Sequence, residues 1–273
     1  MIVFGYRFPL PGLIGFSALL IWSTVAVFAP LIAPHGVGEI VDFDIFTPMS
    51  DRFLFGTDYL GRDVLSRILM GARVTIGIAF LAVTFAVSMG VGLGMAAALI
   101  GGRFDTVLSR FLDALSSIPS KLFALVAVAG GGSSIPMLIF ILAIIYTPGS
   151  YRFARSLAVN VNAMDYVTVA RLRGEKLPYL AFSEILPNIL GPVLTDFGLR
   201  FVFIVLLLSG LSFLGLGVQP PIADWGALVR ENIGGLSFAA PAVIAPSLAL
   251  ASLTIAVNMT IDNLPVKIRD RSE

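Results

Sequence analysis

Five stretches of this chain carry no charged residue over lengths that can cross a bilayer: Phe8 to Pro34, Val74 to Gly102, Leu122 to Tyr151, Phe201 to Ala223 and Asn232 to Ile261. Lipid offers no partner for backbone N–H and C=O groups, so such stretches must form helices of ~20 residues that satisfy their own hydrogen bonds. The 273 residues are 57% hydrophobic and 13% charged, whereas soluble domains run at roughly 25% charged. An integral membrane protein follows.

The middle stretch has Gly130, Gly131, Gly132, Ser133, Ser134 and Pro136 at its centre. That cluster breaks a helix, so the reading is two helices joined by a turn. The first borrows residues upstream from about Phe111, including Asp113, Pro119 and Lys121. The expectation is an all-α polytopic membrane protein with six transmembrane helices, at about 11–33, 74–100, 111–130, 135–151, 188–217 and 239–262.

Lys and Arg in short loops set orientation. With the amino terminus inside, the inner pieces hold Arg7, Arg103, Arg110, Arg152, Arg155, Arg171, Arg173, Lys176, Lys267, Arg269 and Arg271. The outer side holds Arg52, Arg62, Arg67, Arg73 and Arg230. This bias places both ends in the cytoplasm. The apolar run Phe8 to Ile32 is longer than the core of a signal peptide, about 7 to 15 residues, which points to a retained helix.

Cysteine is absent and His35 is the only histidine, which removes thiol nucleophiles, sulfur-ligated metals and imidazole relays. His35 is read as an inert, exposed loop residue. No H-E-x-x-H, G-x-S-x-G or G-x-x-x-x-G-K-[ST] occurs, so any ATP that drives this chain is hydrolysed by another. No cofactor, metal or nucleic acid is expected to bind it.

Asp165 to Pro192, DYVTVARLRGEKLPYLAFSEILPNILGP, is the one long polar interval in the last two-thirds. Asn162 reads as a helix cap, with Asp165 three residues on completing a capping box. Gly174 then supplies a left-handed stop, and Pro178 blocks resumption. These signals predict a short helix over 163–173, with Tyr166, Val169, Ala170 and Arg173 on one face. By charge alone, this is either a docking handle or a basic loop helix against lipid headgroups.

Elsewhere, Asp58, Arg62, Asp63, Arg67 and Arg73 have the spacing of an interfacial helix with an apolar side from Leu60, Val64, Leu65, Ile68 and Leu69. It either leads into the second span or forms a platform for a partner. The turn Gly217 to Trp225 is a rigid reversal or a partner contact. Gly90 and Gly94 make a G-x-x-x-G packing pattern. Asp113 and Lys121, two turns apart on one helix, face away from lipid, where a charge costs ~3 kcal/mol; they line a translocation path, or Asp113 snorkels to the inner surface and Lys121 pairs with a partner subunit. Asp196 and Arg200 neutralise one another.

D-Y-V-T-V-A-R-L-R-G with I-L-P-N-I-L-G-P resembles the EAA loop of membrane subunits of bacterial ABC importers, on Asp165, Tyr166, Val167, Ala170, Arg171, Gly174, Leu186, Pro187 and Asn188. F-G-T-D-Y-L-G-R-D-V-L-S-R-I-L-M-G-A-R from Phe55 and L-S-F-L-G-L-G-V-Q-P-P-I-A-D-W-G from Leu211 narrow the likeness. Together they resemble the C-type permease subunits of the dipeptide, oligopeptide and nickel importer family, over nearly the whole chain. Departures are Asp165 for Glu, Val169 for Ala, Glu184 for His, and Leu208 where many relatives have an acid.

The resemblance implies the type I (MetI-like) importer fold in a bacterial inner membrane. Its parts are an amino-terminal helix and outer segment over 1–70, a transmembrane domain over 71–265 with a coupling loop at about 152–187, and a tail over 266–273. It implies a second permease subunit, two ATPase subunits that use ATP and Mg, and an extracytoplasmic solute-binding protein. Asp165, Tyr166, Val169, Ala170, Arg171, Arg173, Gly174 and Pro187 would couple to an ATPase. A secondary transporter or channel acting alone is the rival, but neither an internal repeat nor a central acidic pair is evident.

Overall fold

The computed structural model describes residues 2, 3, 6, 7, 9–237, 240–263, 266 and 267. Its helices are α1 (Leu10–Ile32), α2 (Val64–Ile100), α3 (Gly102–Ser116), α4 (Ser120–Gly131), α5 (Ile135–Asn162), α6 (Asp165–Leu172), α7 (Leu177–Tyr179), α8 (Leu186–Phe213), α9 (Trp225–Asn232) and α10 (Ala240–Asp262). A π-helical stretch, Leu180–Ile185, joins α7 to α8. Five helices are long and apolar enough to span a membrane, counting Leu177–Phe213 as one; a sixth crossing requires α3 and α4 together. Among the described residues the fold is all-α, with only two-residue strands β1 (Ile2–Val3), β2 (Tyr6–Arg7) and β3 (Val266–Lys267) beside it. Of the tail expected over 266–273, residues beyond Lys267 lie outside the described ones.

Two compact units divide the chain: Met1–Ala79 with Ser133–Ile135 and Val205–Glu273, and Phe80–Gly132 with Pro136–Ile204. In the first, α1 and α10 run antiparallel. A Cβ on Gly12 would meet Asn263 at 2.7 Å and one on Gly15 would meet Met259 at 2.7 Å, while Trp22 Nε1 donates to Ser252 Oγ at 2.9 Å. Pro9 and Asn263 therefore lie at the same end. Trp22 meets Trp225 edge-on at 4.9 Å. Trp225 is fully buried, and its indole N–H is satisfied by the Ile68 carbonyl at 3.0 Å, as a buried tryptophan requires.

The same unit buries an ionic knot. Asp58 Oδ2 accepts from Arg62 Nε and Arg67 Nη1, each at 2.7 Å. Glu231 Oε2 accepts from the same two arginines at 3.1 and 2.8 Å. Burial alone would lower the Arg62 guanidinium, but Asp58 and then Glu231 outweigh it and hold Arg62 above its ordinary value. The expected interfacial helix over Phe55 to Arg73 is thus corrected. Helix begins only at Val64, and Asp58 to Asp63 form turns folded inward. Two acids matching two arginines make that burial tolerable. Asp63 turns to Ser66, accepting from its N–H and hydroxyl at 2.9 and 2.6 Å. His35, expected to be exposed, is half-buried with Nδ1 3.6 Å from Asp63.

In the second unit, α2 and α5 touch through glycine. A Cβ on Gly90 would sit 2.5 Å from Ser150 Cβ, and one on Gly94 2.8 Å from Arg155 N, so G-x-x-x-G is a packing seam. Against it, Ala97, Leu112 and Tyr151 form a buried cluster. Polar bonds frame the cluster: Asp105 with Arg155 through two hydrogen bonds, and Ser109 Oγ with Tyr151 OH at 2.7 Å.

The third expected span, 111–130, is not one helix. α3 and α4 meet at an angle of 82° across Ser117 to Pro119, where Pro119 has no N–H to donate and disfavours helical geometry at Ile118. α3 also starts earlier, at Gly102, and its Asp105 and Asp113 pair with Arg155 and Arg152 on α5.

Candidate functional site

Between α5 and α8 the chain folds first into the short helix α6, exposed along one side. Its start departs from the expected capping box: the N-cap is Met164, with no side-chain bond. Asn162 instead ends α5, donating Nδ2 to the Ala98 carbonyl at 3.1 Å and accepting from Arg171 Nη2 at 2.9 Å. A side chain satisfied by two other segments is not free to turn onto the α6 N–H groups. Asp165 remains in the first turn, where its charge suits the helix dipole.

The stop is as the sequence indicates. Gly174 has φ +83°, its N–H bonds to the Arg171 carbonyl at 3.0 Å, and the Glu175 N–H reaches the Ala170 carbonyl at 3.3 Å. These two bonds close a Schellman motif around a left-handed residue. Pro178, expected to prevent helix, sits in the first turn of α7, where its fixed φ and missing N–H are tolerated. Helix therefore resumes at Leu177, earlier than the 188 expected, and α5 continues to Asn162, past the 151 expected.

Pro187 is then inside a helix and cannot bond four residues back. The chain answers with the π turn just before it, where the Leu186 N–H bonds to the Ala181 carbonyl, five residues back. This widened turn at the base of α8 is a built-in irregularity.

Tyr166, Val169, Ala170 and Arg173, predicted on one face, line an open groove of about 320 Å³ with Glu175, Tyr179 and Glu184. Val167 and Ala170 are buried beneath, whereas Tyr166, Val169 and Leu172 stay exposed. A lining that combines the apolar Tyr166, Val169 and Tyr179 with Arg173, two glutamates and a small Ala170 has the mixed character of a surface that meets another protein segment. Arg171 points away from the groove, toward Asn162. Glu175, Tyr179 and Glu184 were missed as groove residues because they follow the glycine stop and span the π stretch, so no helical period links them to α6.

Asp113 and Lys121 are not brought together. The break at 117–119 puts them on different helices, which corrects the reading of one shared face. Asp113 pairs with Arg152 at 3.2 Å, both side chains half-exposed, and Lys121 is exposed on α4. Asp196 and Arg200 do pair, through two bonds of 2.6 and 2.9 Å.

Comparison with known proteins adds to this geometry. Residues 90–270 match the family described as binding-protein-dependent transport system inner membrane component. The chain is 32% identical over 258 residues to a dipeptide transport system permease protein of Haemophilus influenzae, covering 92% of this chain and 88% of that one. It is 34% identical to a di/tripeptide transport system permease protein of Pseudomonas aeruginosa, covering 92% and 84%. With a glutathione transport system permease protein of Pectobacterium atrosepticum it shares 32% identity, covering 90% and 82%. An all-α chain with five or six membrane-length helices, matched along nearly its whole length, belongs to the inner membrane permease family of binding-protein-dependent transport systems.

Proposed function

We propose that this permease imports peptides and that the α6 groove receives the force of ATP hydrolysis. The observation that carries the second part is the groove itself. A short helix, tied near its carboxy-terminal end to Asn162 through Arg171 and stopped at that end by Gly174, presents Tyr166, Val169, Ala170 and Arg173 to whatever docks there. In this reading two ATPase subunits hydrolyse ATP with Mg and one of them grips the groove. A second permease completes the path through the bacterial inner membrane, and an extracytoplasmic protein delivers the solute. Both ends of the chain face the cytoplasm, consistent with Pro9 and Asn263 lying at one end of α1 and α10. Movement of α6 is passed through Asn162 to α5 and through the π turn before Pro187 to α8, a rigid-body switch of packed helices. The path runs past the α3–α4 break, between Asp113 and Lys121.

Purification through a tag on this chain, followed by reconstitution with the binding protein, tests the reading. The expected result is co-purification of two ATPases and another permease, with peptide uptake that needs ATP. A chain that moves solute alone and without nucleotide overturns it.

A further inference from the structure

Beside the α3–α4 break lies an open cavity of about 230 Å³, entirely within one compact unit. Ser116 and Ser120 border it from the break, Tyr146 and Arg152 from α5, and Arg200 from α8. Both arginines have acidic partners: Asp113 for Arg152 and Asp196 for Arg200. Neither carboxylate is part of the lining. The cations thus border the cavity while neither counter-charge does, and a partly enclosed space with charge of one sign in its lining concentrates ions of the other.

The placement of Arg200 is specific. Its guanidinium lies on the backbone of α5 at Gly149, where a Cβ would come within 2.6 Å of Nη1. Asp196 takes Nε and Nη2, and Nη1 reaches only the Tyr146 carbonyl, at 3.4 Å, so donor capacity remains at that nitrogen. Arg152 gives a single bond to Asp113, from Nη1 at 3.2 Å. A planar guanidinium with donors to spare matches a carboxylate. The volume suits a terminal residue and not a whole oligopeptide, since whole-ligand pockets are about 300–1,000 Å³.

We infer that this cavity holds the terminal carboxylate of a peptide in transit, with Arg152 and Arg200 as its cationic wall. The inference rests on the peptide-import reading for its ligand, but the anion preference is testable without it.

Because the chain has no cysteine, Ser120→Cys offers a single thiol at the cavity, and Ser156→Cys, on the exposed part of α5, a control. The complex, purified through a tag on this chain and held in phosphatidylcholine nanodiscs free of anionic lipid, is labelled with a sulfonate-bearing or an ammonium-bearing methanethiosulfonate. The sulfonate is expected to gain roughly tenfold over the ammonium reagent at Ser120→Cys relative to the control, and to lose that gain when Arg152→Gln is added. Trialanine is expected to slow the labelling, and its carboxy-terminal amide is not. Equal reagent preference at the two sites overturns the inference, as does equal protection by acid and amide or protection by neither. If Arg152→Gln fails to assemble, the comparison of the two single-cysteine chains still decides it. ATP-driven trialanine uptake, measured with the same purified complex placed with its binding protein in sealed phosphatidylcholine vesicles, reports separately: uptake without carboxylate-dependent protection removes the cavity and keeps the importer, and absent uptake removes the importer reading.

Discussion

Arg171 on α6 donates from Nη2 to Oδ1 of Asn162, the last residue of α5, at 2.9 Å. The turn between the two helices is thereby braced, so a displacement of α6 moves the end of α5 with it. An exposed pair of this kind contributes little to stability, roughly 1 kcal/mol or less. Arg171→Gln and Asn162→Ala are expected to lower ATP-driven uptake severalfold with a melting temperature shifted by only a few degrees. The double variant should be no worse than the worse single one, because both remove the same brace. Additive losses would show that the two residues act separately.

Gly174 holds φ +83° with open space where a Cβ would stand. Substitution therefore brings backbone strain without a clash, about 1–2 kcal/mol. Gly174→Val is expected to reduce uptake while membrane insertion and abundance stay normal. Gly174→Asn, which tolerates this conformation better, should keep more activity than Val. Unchanged uptake by the Val variant contradicts the role given to this turn.

Asp58 accepts from the buried side chains of Arg62 and Arg67 and from the N–H groups of Leu60 and Arg62, and is itself fully buried. Removing its charge leaves Arg62 and Arg67 facing Glu231 alone. Breaking a buried ion pair costs about 3–5 kcal/mol, so Asp58→Asn is expected to lower the melting temperature of the purified complex by roughly 10 °C. A shift under 2 °C would mean that water reaches the knot, contrary to its burial.

Asp224 caps α9, accepting from the Ala227 N–H at 3.0 Å. Burial pushes its carboxyl up to about 6 from the ordinary 3.8, against the hydrogen bonds from Ala227 and Ser212. The sign follows from proton counting. Between about pH 4 and 6 the folded chain holds more protons than the unfolded one, so stability falls as pH rises through that window and the deficit persists above it. Two units correspond to on the order of 3 kcal/mol. Asp224→Asn keeps an oxygen for the cap and is expected to melt several degrees higher than wild type at pH 7.5, the gap closing by pH 4. A gap independent of pH would assign the effect to another cause.

The apolar helices were legible because hydropathy is a local property. α1 and α10 lie within about one residue of the ranges read from the sequence, and α2 ends at Ile100 as expected. The start of α2 was not legible. Its first turns carry Arg67 and Arg73, and Arg67 is neutralised by Glu231, 164 positions away, which no periodicity reveals. The break at Pro119 was visible as a residue, but the apolar run from Leu122 carried the reading of a span across it. In the candidate site, Tyr166, Val169, Ala170 and Arg173 followed from helical spacing. Asn162 did not, because a capping motif and a side chain bonded to Ala98 and Arg171 look alike in sequence.

A single cysteine in the groove tests the central claim most directly. Val169→Cys, in a chain with no other cysteine, is placed in the assembled complex with a short bifunctional thiol–amine crosslinker. The expected product is one adduct joining this chain to an ATPase subunit, its yield changing when ATP is added with vanadate. An intact complex whose only adducts join other subunits, or none, would contradict docking of the ATPase on α6.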